Sequence, residues 1–181
     1  MGQIKAFIPA RLVIGVLSSR PDWQHAMLSR LQESFGPLSK VTKAVPFSFT
    51  DYYNEEMGSP IERYFVVFEH LVDPTTLSSM KLETNAIEEL FSESGKRKIN
   101  LDPGLLSADN LILATTKDRS HRIPLAQGIF GEVTLIYTKG EFQSLPWTYA
   151  DYRSEEFRAL FKVLRAEYLT QLRLLAKAAK I

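Results

Sequence analysis

Arg11–Ser18 carries Leu12, Val13, Ile14, Val16 and Leu17 in a near-continuous apolar run, the pattern of a strand buried on both faces. It passes into Ser18-Ser19-Arg20-Pro21-Asp22, where small hydroxyls, a proline and an early acid announce a helix. That helix places Trp23, Met27, Leu28, Leu31 and Phe35 at helical spacing and stops at Gly36-Pro37. Lys40–Phe49 alternates, with Val41, Val45, Phe47 and Phe49 on one face, and Thr50–Pro60 is a polar, tyrosine-bearing loop. Glu62–Val72 is a third strand, broken by Asp73-Pro74, and a shorter helix over about Thr84–Glu93 rests on Ile87, Leu90 and Phe91. Arg97–Leu101 reads as a strand halted by the turn tripeptide Asp102-Pro103-Gly104. Leu111–Thr116 and Glu132–Thr138 are further strands; Pro124 confines Arg122–Leu125 to edge pairing. A last helix over Ser154–Ala178 aligns Phe157, Leu160, Phe161, Leu164, Tyr168, Leu172 and Leu175 on one stripe.

The first six elements run β-α-β-β-α-β, the ferredoxin-like order. The expected class is α+β: a ferredoxin-like core extended by extra antiparallel strands and a long C-terminal helix, with helices mainly on one face. A length of 181 residues suits a single domain over 1–181, large enough to bury about 70% of its unfolded surface.

Composition narrows the chemistry. Without cysteine the chain holds no disulfide, zinc–thiolate site, iron–sulfur cluster or cysteine nucleophile. Lys5, Pro9 and Arg11 interrupt any apolar signal core at the start, and no run approaches the roughly 20 residues of a membrane span. A cytoplasmic protein with no membrane partner is the expectation. A net charge of +1 offers no global field for nucleic acid, which makes that partner unlikely. The charge is nevertheless uneven. Residues 51–69 hold five acids against one base, and residues 96–122 hold six bases against three acids.

Candidate chemistry gathers where strands end. Asn100 and Asp102 alternate with Leu101, so a strand would show both on one face, fit to position a substrate or take its proton. Turn capping by Asp102 is the plainer alternative. Lys117, Arg119, His121 and Arg122 supply three permanent cations and an imidazole within six residues, the inventory for phosphate or carboxylate recognition. Parallel strands, or strands separated by a central one, would bring the two clusters together, whereas antiparallel neighbours would leave their polar ends offset. Ser18 and Ser19 stand where a strand feeds a helix, a seat for an anion or a simple cap. No motif names a cofactor. Magnesium is the candidate, on Asp51, Glu55 and Glu56 with Asp102 or Glu132, although no ligand spacing marks a metal site. Phe142–Tyr152, with Trp147 and Tyr149, either pins the terminal helix to the core or stacks a base.

The phrases Phe49-Thr-Asp-Tyr-Tyr, Glu55-Glu-Met-Gly58, Asn100-Leu-Asp-Pro-Gly104, Ser120-His-Arg122, Glu132-Val-Thr-Leu-Ile-Tyr137 and Leu145-Pro-Trp-Thr-Tyr149 are distinctive. Across nearly its whole length the chain resembles an uncharacterised bacterial family, a domain of unknown function sometimes loosely labelled GTP-binding. The resemblance implies no catalytic residues. The chain also lacks the Gly-x-x-x-x-Gly-Lys-Ser/Thr loop that would support the label.

Two functions are therefore expected. The first is binding of a small phosphorylated or anionic ligand, with a nucleotide among the candidates and hydrolase or transferase chemistry open to it. Asp102 and His121 would be catalytic; Asn100, Lys117, Arg119, Arg122, Ser18 and Ser19 would bind. The second is a non-catalytic interaction module that uses the aromatic loop and terminal helix to form a homodimer or dock a partner.

Overall fold

A computed structural model describes residues 2–178. Eleven strands and four α-helices follow one another: β1 (Ala10–Ser18), α1 (Gln24–Phe35), β2 (Leu38–Val41), β3 (Val45–Pro46), α2 (Asn54–Met57), β4 (Glu62–Val72), α3 (Leu77–Leu90), β5 (Ser92–Glu93), β6 (Lys96–Arg97), β7 (Ile99–Leu106), β8 (Asn110–Thr115), β9 (Ile123–Pro124), β10 (Phe130–Thr138), β11 (Glu141–Ser144) and α4 (Glu155–Ala178). Apart from a two-stranded β5–β6 ribbon, the strands form one antiparallel sheet in the order β11-β10-β8-β7-β1-β4-β2. Beside that path β3 pairs with β4 and β9 with β10. The architecture is mixed α+β, with an antiparallel sheet and a long C-terminal helix. Among the described residues no helix is long and apolar enough to cross a membrane.

Alternation along the central strands builds two cores. Leu12, Ile14 and Val16 of β1 and Tyr64, Val66 and Phe68 of β4 face α1 and α3. Val13, Phe65 and Val67 face α4, whose Phe157, Phe161 and Leu164 pack onto them. Helices thus cover both faces, whereas the pattern predicted mainly one. The longest helix takes the second face because every central strand is apolar on both sides, and either side left open would expose that surface to water.

Three local expectations change. The second helix begins at Leu77, since Asp73 caps a short Pro74–Thr76 turn through the Thr75 amide at 2.9 Å and α3 follows directly. The alternation over Lys40–Phe49 resolves into the short β2 and β3, separated by Thr42, whose hydroxyl accepts the Phe65 amide at 2.9 Å. Most consequential, Asp102-Pro103-Gly104 is not a turn. The strand runs straight through it, paired with β1 from Arg11↔Leu106 to Ser18↔Ile99. Leu101 directs its backbone groups away from β1, and strand alternation sends those of Pro103 the same way. The missing proline N–H therefore falls where no neighbouring ladder needs it.

Candidate functional site

That unneeded ladder marks the site. β7 pairs with β8 only from Gly104↔Leu113 to Leu106↔Leu111, and the sheet splits below Gly104. Leu101, paired with β1 on one side and with no strand on the other, still needs partners for its backbone there. Helix α3 supplies them: Lys81 Nζ donates to the Leu101 carbonyl at 2.7 Å, and Glu88 Oε1 accepts its amide at 2.7 Å. A hollow of about 130 Å³ occupies the split, lined by Asn85, Arg97, Asn100, Asp102, Thr115 and Glu132 among others. A second hollow of about 390 Å³ adjoins it, and both share Tyr53, Asp102, Lys117 and Tyr149. Together they form one cleft at the end of the α4-side sheet face that the helix leaves uncovered, reaching through the split to Lys81 and Asn85 of α3.

The cleft floor is polar because charged and amide side chains occupy strand positions in phase with the α4-side core. Arg63 precedes Phe65 and Val67 by alternation, and Asp102 lies opposite Gly15 in the β1 ladder. A Cβ on Gly15 would lie 2.6 Å from the Tyr152 hydroxyl and 2.9 Å from Arg63 Nη1, so only glycine leaves both groups their room. One wall is the excursion between β3 and β4, with Phe47, Phe49, Tyr52 and Tyr53; the other is Tyr149, Ala150 and Asp151 ahead of α4. Lys117 crosses the mouth, 3.3 Å from the Tyr52 hydroxyl and 4.7 Å from its ring centroid.

A chain of alternating charge runs beneath the cleft. Glu88 Oε2 accepts from Arg97 Nη1 at 2.9 Å, and the same nitrogen reaches Asn100 Oδ1 at 2.8 Å. Asn100 then donates to Asp102 Oδ2 at 2.8 Å. Arg63 Nη1 lies 3.8 Å from that oxygen, and Arg63 Nη2 lies 2.7 Å from Asp151. Burial alone would lower the Arg63 pKa, but Tyr152, Asp151 and Asp102 outweigh it and hold the guanidinium's proton more tightly than usual. Arg97 behaves likewise, with Glu88 and Glu56 overcoming its burial. Burial pushes Tyr53, Tyr149 and Tyr152 upward, so all three remain neutral phenols at ordinary pH. Arg63 Nε, Arg63 Nη1 and the Tyr152 hydroxyl are buried without a hydrogen-bond partner. Unmet donors of this kind are costly and are uncommon in a packed interior.

Of the residues singled out from sequence, Asn100, Asp102 and Lys117 meet in the cleft. They do so although β7 and β8 are antiparallel, an arrangement expected to keep the two clusters apart. Because β7 continues to Leu106, Asp102 sits mid-strand, beside the end rather than the start of β8. Arg122 is a strut: Nε donates to Glu132 at 2.8 Å, Nη1 to the Lys117 carbonyl at 2.8 Å and Nη2 to the Tyr149 hydroxyl at 2.9 Å. His121 holds Glu132 Oε2 at 3.0 Å and stacks on Trp147 at 5.0 Å, while Glu132 itself lines the cleft. Arg119 is exposed and forms no side-chain hydrogen bond or ion pair with the described residues.

Ser18 and Ser19 lie outside the cleft. The Ser18 hydroxyl accepts the Arg20 amide at 3.1 Å, and Ser19 donates to the Met57 carbonyl at 2.6 Å, tying down the end of α2. Lys96 and Lys98 hold carbonyls of the same short helix, and Glu56 pairs with Arg97 at 2.9 Å. The acidic and basic segments of the sequence thus lie against each other, joined by one ion pair and by lysine contacts to backbone carbonyls. The magnesium candidates are dispersed by the same contacts, with Asp51 bonded to Asn54. Among the described residues no group of three or more His, Asp or Glu gathers that could hold a metal ion. Trp147 does not pin α4; it is 37% exposed, and Phe142 and Tyr152 do the packing instead.

Sequence reasoning missed Arg63, Asp151, Arg97 and Gly15. Two of them left a signal: Arg63 is charged in phase with a buried strand face, and Gly15 interrupts an apolar run, the mark of a close approach. The chain belongs to the family described as Domain of unknown function (DUF4416), whose model matches residues 8–168. No curated protein and no solved structure matches it.

Proposed function

We propose that this chain, as a member of a family with no assigned activity, binds a small phosphorylated or otherwise anionic ligand in the split-sheet cleft. The carrying observation is Arg63: a permanently charged guanidinium, 3% exposed, that lines the larger hollow and whose Nη1, 3.8 Å from Asp102, makes no hydrogen bond with the described residues. Lys117 offers a second cation from the opposite lip, and an anion would draw it off the Tyr52 ring. Hydrolase or transferase chemistry would fall to Asp102, oriented by Asn100 and open to both hollows, with His121 oriented by Glu132 at the margin. Thermal-shift and calorimetric titrations with inorganic phosphate and glycerol 3-phosphate test the reading. Lys117→Ala should weaken binding about tenfold or more, the loss expected of one charge-assisted contact. Millimolar phosphate compounds that leave the melting temperature unmoved would sink it.

The β7-β1-β4-β2 portion of the sheet supports a ferredoxin-like reading of the core. β1 and β2 both run antiparallel to β4, with α1 connecting them; β4 and β7 both run antiparallel to β1, with α3 connecting them. Two interleaved β-α-β units of this kind are the essence of that fold.

A second reading, homodimerisation through α4, rests on one observation. Beyond Tyr168 the helix carries exposed Leu174 and Leu175 and an apolar groove formed by Leu169, Leu172 and Ala176. Sedimentation of the native chain beside Leu172→Glu would reveal it.

A further inference from the structure

We infer that the ligand of this cleft is a nucleoside monophosphate, with its base on the aromatic wall, its ribose hydroxyls at Asp102 and its phosphate on Arg63 and Lys117. The inference rests on the anion-binding reading and adds to it the ring, the hydroxyls and the number of phosphates.

The ring follows from where aromatic side chains remain exposed. Phe49, Tyr52 and Tyr149 are each more than two-fifths exposed and line the larger hollow. Trp147 lies beside the cleft on His121, and Phe7, in the segment before β1, is the exposed aromatic that stands apart from it. Exposed rings are costly when scattered and useful when gathered on a concave surface that a flat ligand can cover. Phe47 and Tyr53 meet edge-to-face behind the wall, with centroids 6.1 Å apart, and back the exposed rings, Phe47 against Phe49 at 5.8 Å and Tyr53 against Tyr52 at 5.1 Å. A hollow of about 390 Å³ suits a small molecule rather than a polymer.

The hydroxyls and the single phosphate follow from charge. The larger hollow is lined by two cations, Arg63 and Lys117, and by two carboxylates, Asp102 and Asp151. Their charges balance. A triphosphate chain would meet as much repulsion as attraction, and no glycine-rich loop adds backbone amides to offset it. One phosphate needs only two cations: Lys117 at the mouth and Arg63 on the floor, whose guanidinium lines the hollow while its Nε and Nη1 are buried without a hydrogen bond to the described residues. Asp151 is already engaged by Arg63 Nη2, which leaves Asp102 to accept from the ligand. Its Oδ2 is held by Asn100 and its side chain, 27% exposed, lines both hollows, so its carboxylate keeps acceptor capacity for sugar hydroxyls.

Calorimetric titration of the full chain with AMP, GMP, GTP, adenosine and glycerol 3-phosphate tests this. A nucleoside monophosphate should bind about tenfold or more tightly than glycerol 3-phosphate, the scale of one base stacked on an aromatic ring. It should also bind more tightly than GTP. Phe49→Ala, which removes an exposed ring of the wall, should cut the advantage of the ring-bearing ligand several-fold while changing glycerol 3-phosphate binding far less. Equal affinity for ring-bearing and ring-free phosphates overturns the inference and leaves the anion site standing. Tighter binding of GTP than of either monophosphate overturns it too. If no phosphate compound binds, both readings fail together.

Discussion

The face of the sheet beneath α4 has two ends made by the same strands in the same alternation, and they are chemical opposites. At one end Val13, Val67, Leu106, Leu111 and Leu135 lie under Phe161 and Leu164. At the other, continuing the phase, stand Gly15 on β1, Arg63 on β4, Asn100 and Asp102 on β7, Thr115 on β8 and Glu132 on β10. The apolar end is closed by a helix and satisfies itself. The polar end is walled by loops, split between β7 and β8, and holds buried Arg63 donors that make no hydrogen bond with the described residues. One end stabilises the fold. The other spends some of that stability on groups poised for something outside the chain, as functional sites do.

The comparison breaks first at its strongest point. Phe161 is fully buried, stacked with Tyr152 at 5.8 Å and edge-on to Phe65 at 5.2 Å. Phe161→Ala should cost about 3–5 kcal/mol in a denaturant titration. A loss under about 1 kcal/mol would mean that α4 is not the closing layer. At the polar end, Arg63→Met should cost a comparable amount, about 3–5 kcal/mol, because it strands Asp151 as a buried charge. Adding Asp151→Asn to Arg63→Met should recover much of the loss. Failure of the double variant to recover would show that Arg63 acts by packing rather than by charge.

The apolar end was the legible one. β4 lies over Glu62–Val72 and α4 reaches Ala178 as the pattern predicts, because an element that buries one face or both writes its period into the residues themselves. The polar end was legible in pieces. Asn100, Asp102 and Lys117 stand out as polar residues beside apolar runs, but their meeting depended on β7 continuing through Asp102-Pro103-Gly104. Local turn chemistry argues against that continuation, and only the β1 ladder with the open side of the split permits it. Arg63 and Asp151 are far apart in the chain, and nothing local announces that they pair. Ser18 and Ser19 resembled an anion seat because capping chemistry and anion binding use the same residues, and here α2 and the Arg20 amide take them.

Gly15→Ala sharpens the boundary between the two ends. The added methyl would overlap the Tyr152 hydroxyl and Arg63 Nη1, and overpacking of this kind costs about 1–3 kcal/mol. Combined with Tyr152→Phe, which removes the closer atom, the penalty should shrink; the two substitutions should be non-additive in a double-mutant cycle. Strict additivity would mean that the floor relaxes elsewhere and that Gly15 is no spacer.

The smallest effect is the most diagnostic. The Tyr152 hydroxyl is buried and makes no hydrogen bond, so Tyr152→Phe at neutral pH should change stability by less than about 1 kcal/mol. At high pH the two proteins should part. Burial raises the Tyr152 pKa above its ordinary value near 10 in the folded chain, while the unfolded chain releases that proton at about 10. Above that pH the unfolded state holds fewer protons than the folded state, so stability falls as pH rises, by about 1.4 kcal/mol per pH unit for each such tyrosine. The stability from the neutral phenol is fully present below about pH 10 and is lost above it. Tyr152→Phe removes one share, and denaturant titrations from pH 9 to 11 should show a shallower decline than the parent, which retains the upward-shifted Tyr53, Tyr64 and Tyr149 as well. Identical declines would mean that water reaches the Tyr152 hydroxyl in solution, and the polar end would then be an open groove rather than a cleft with a sealed floor.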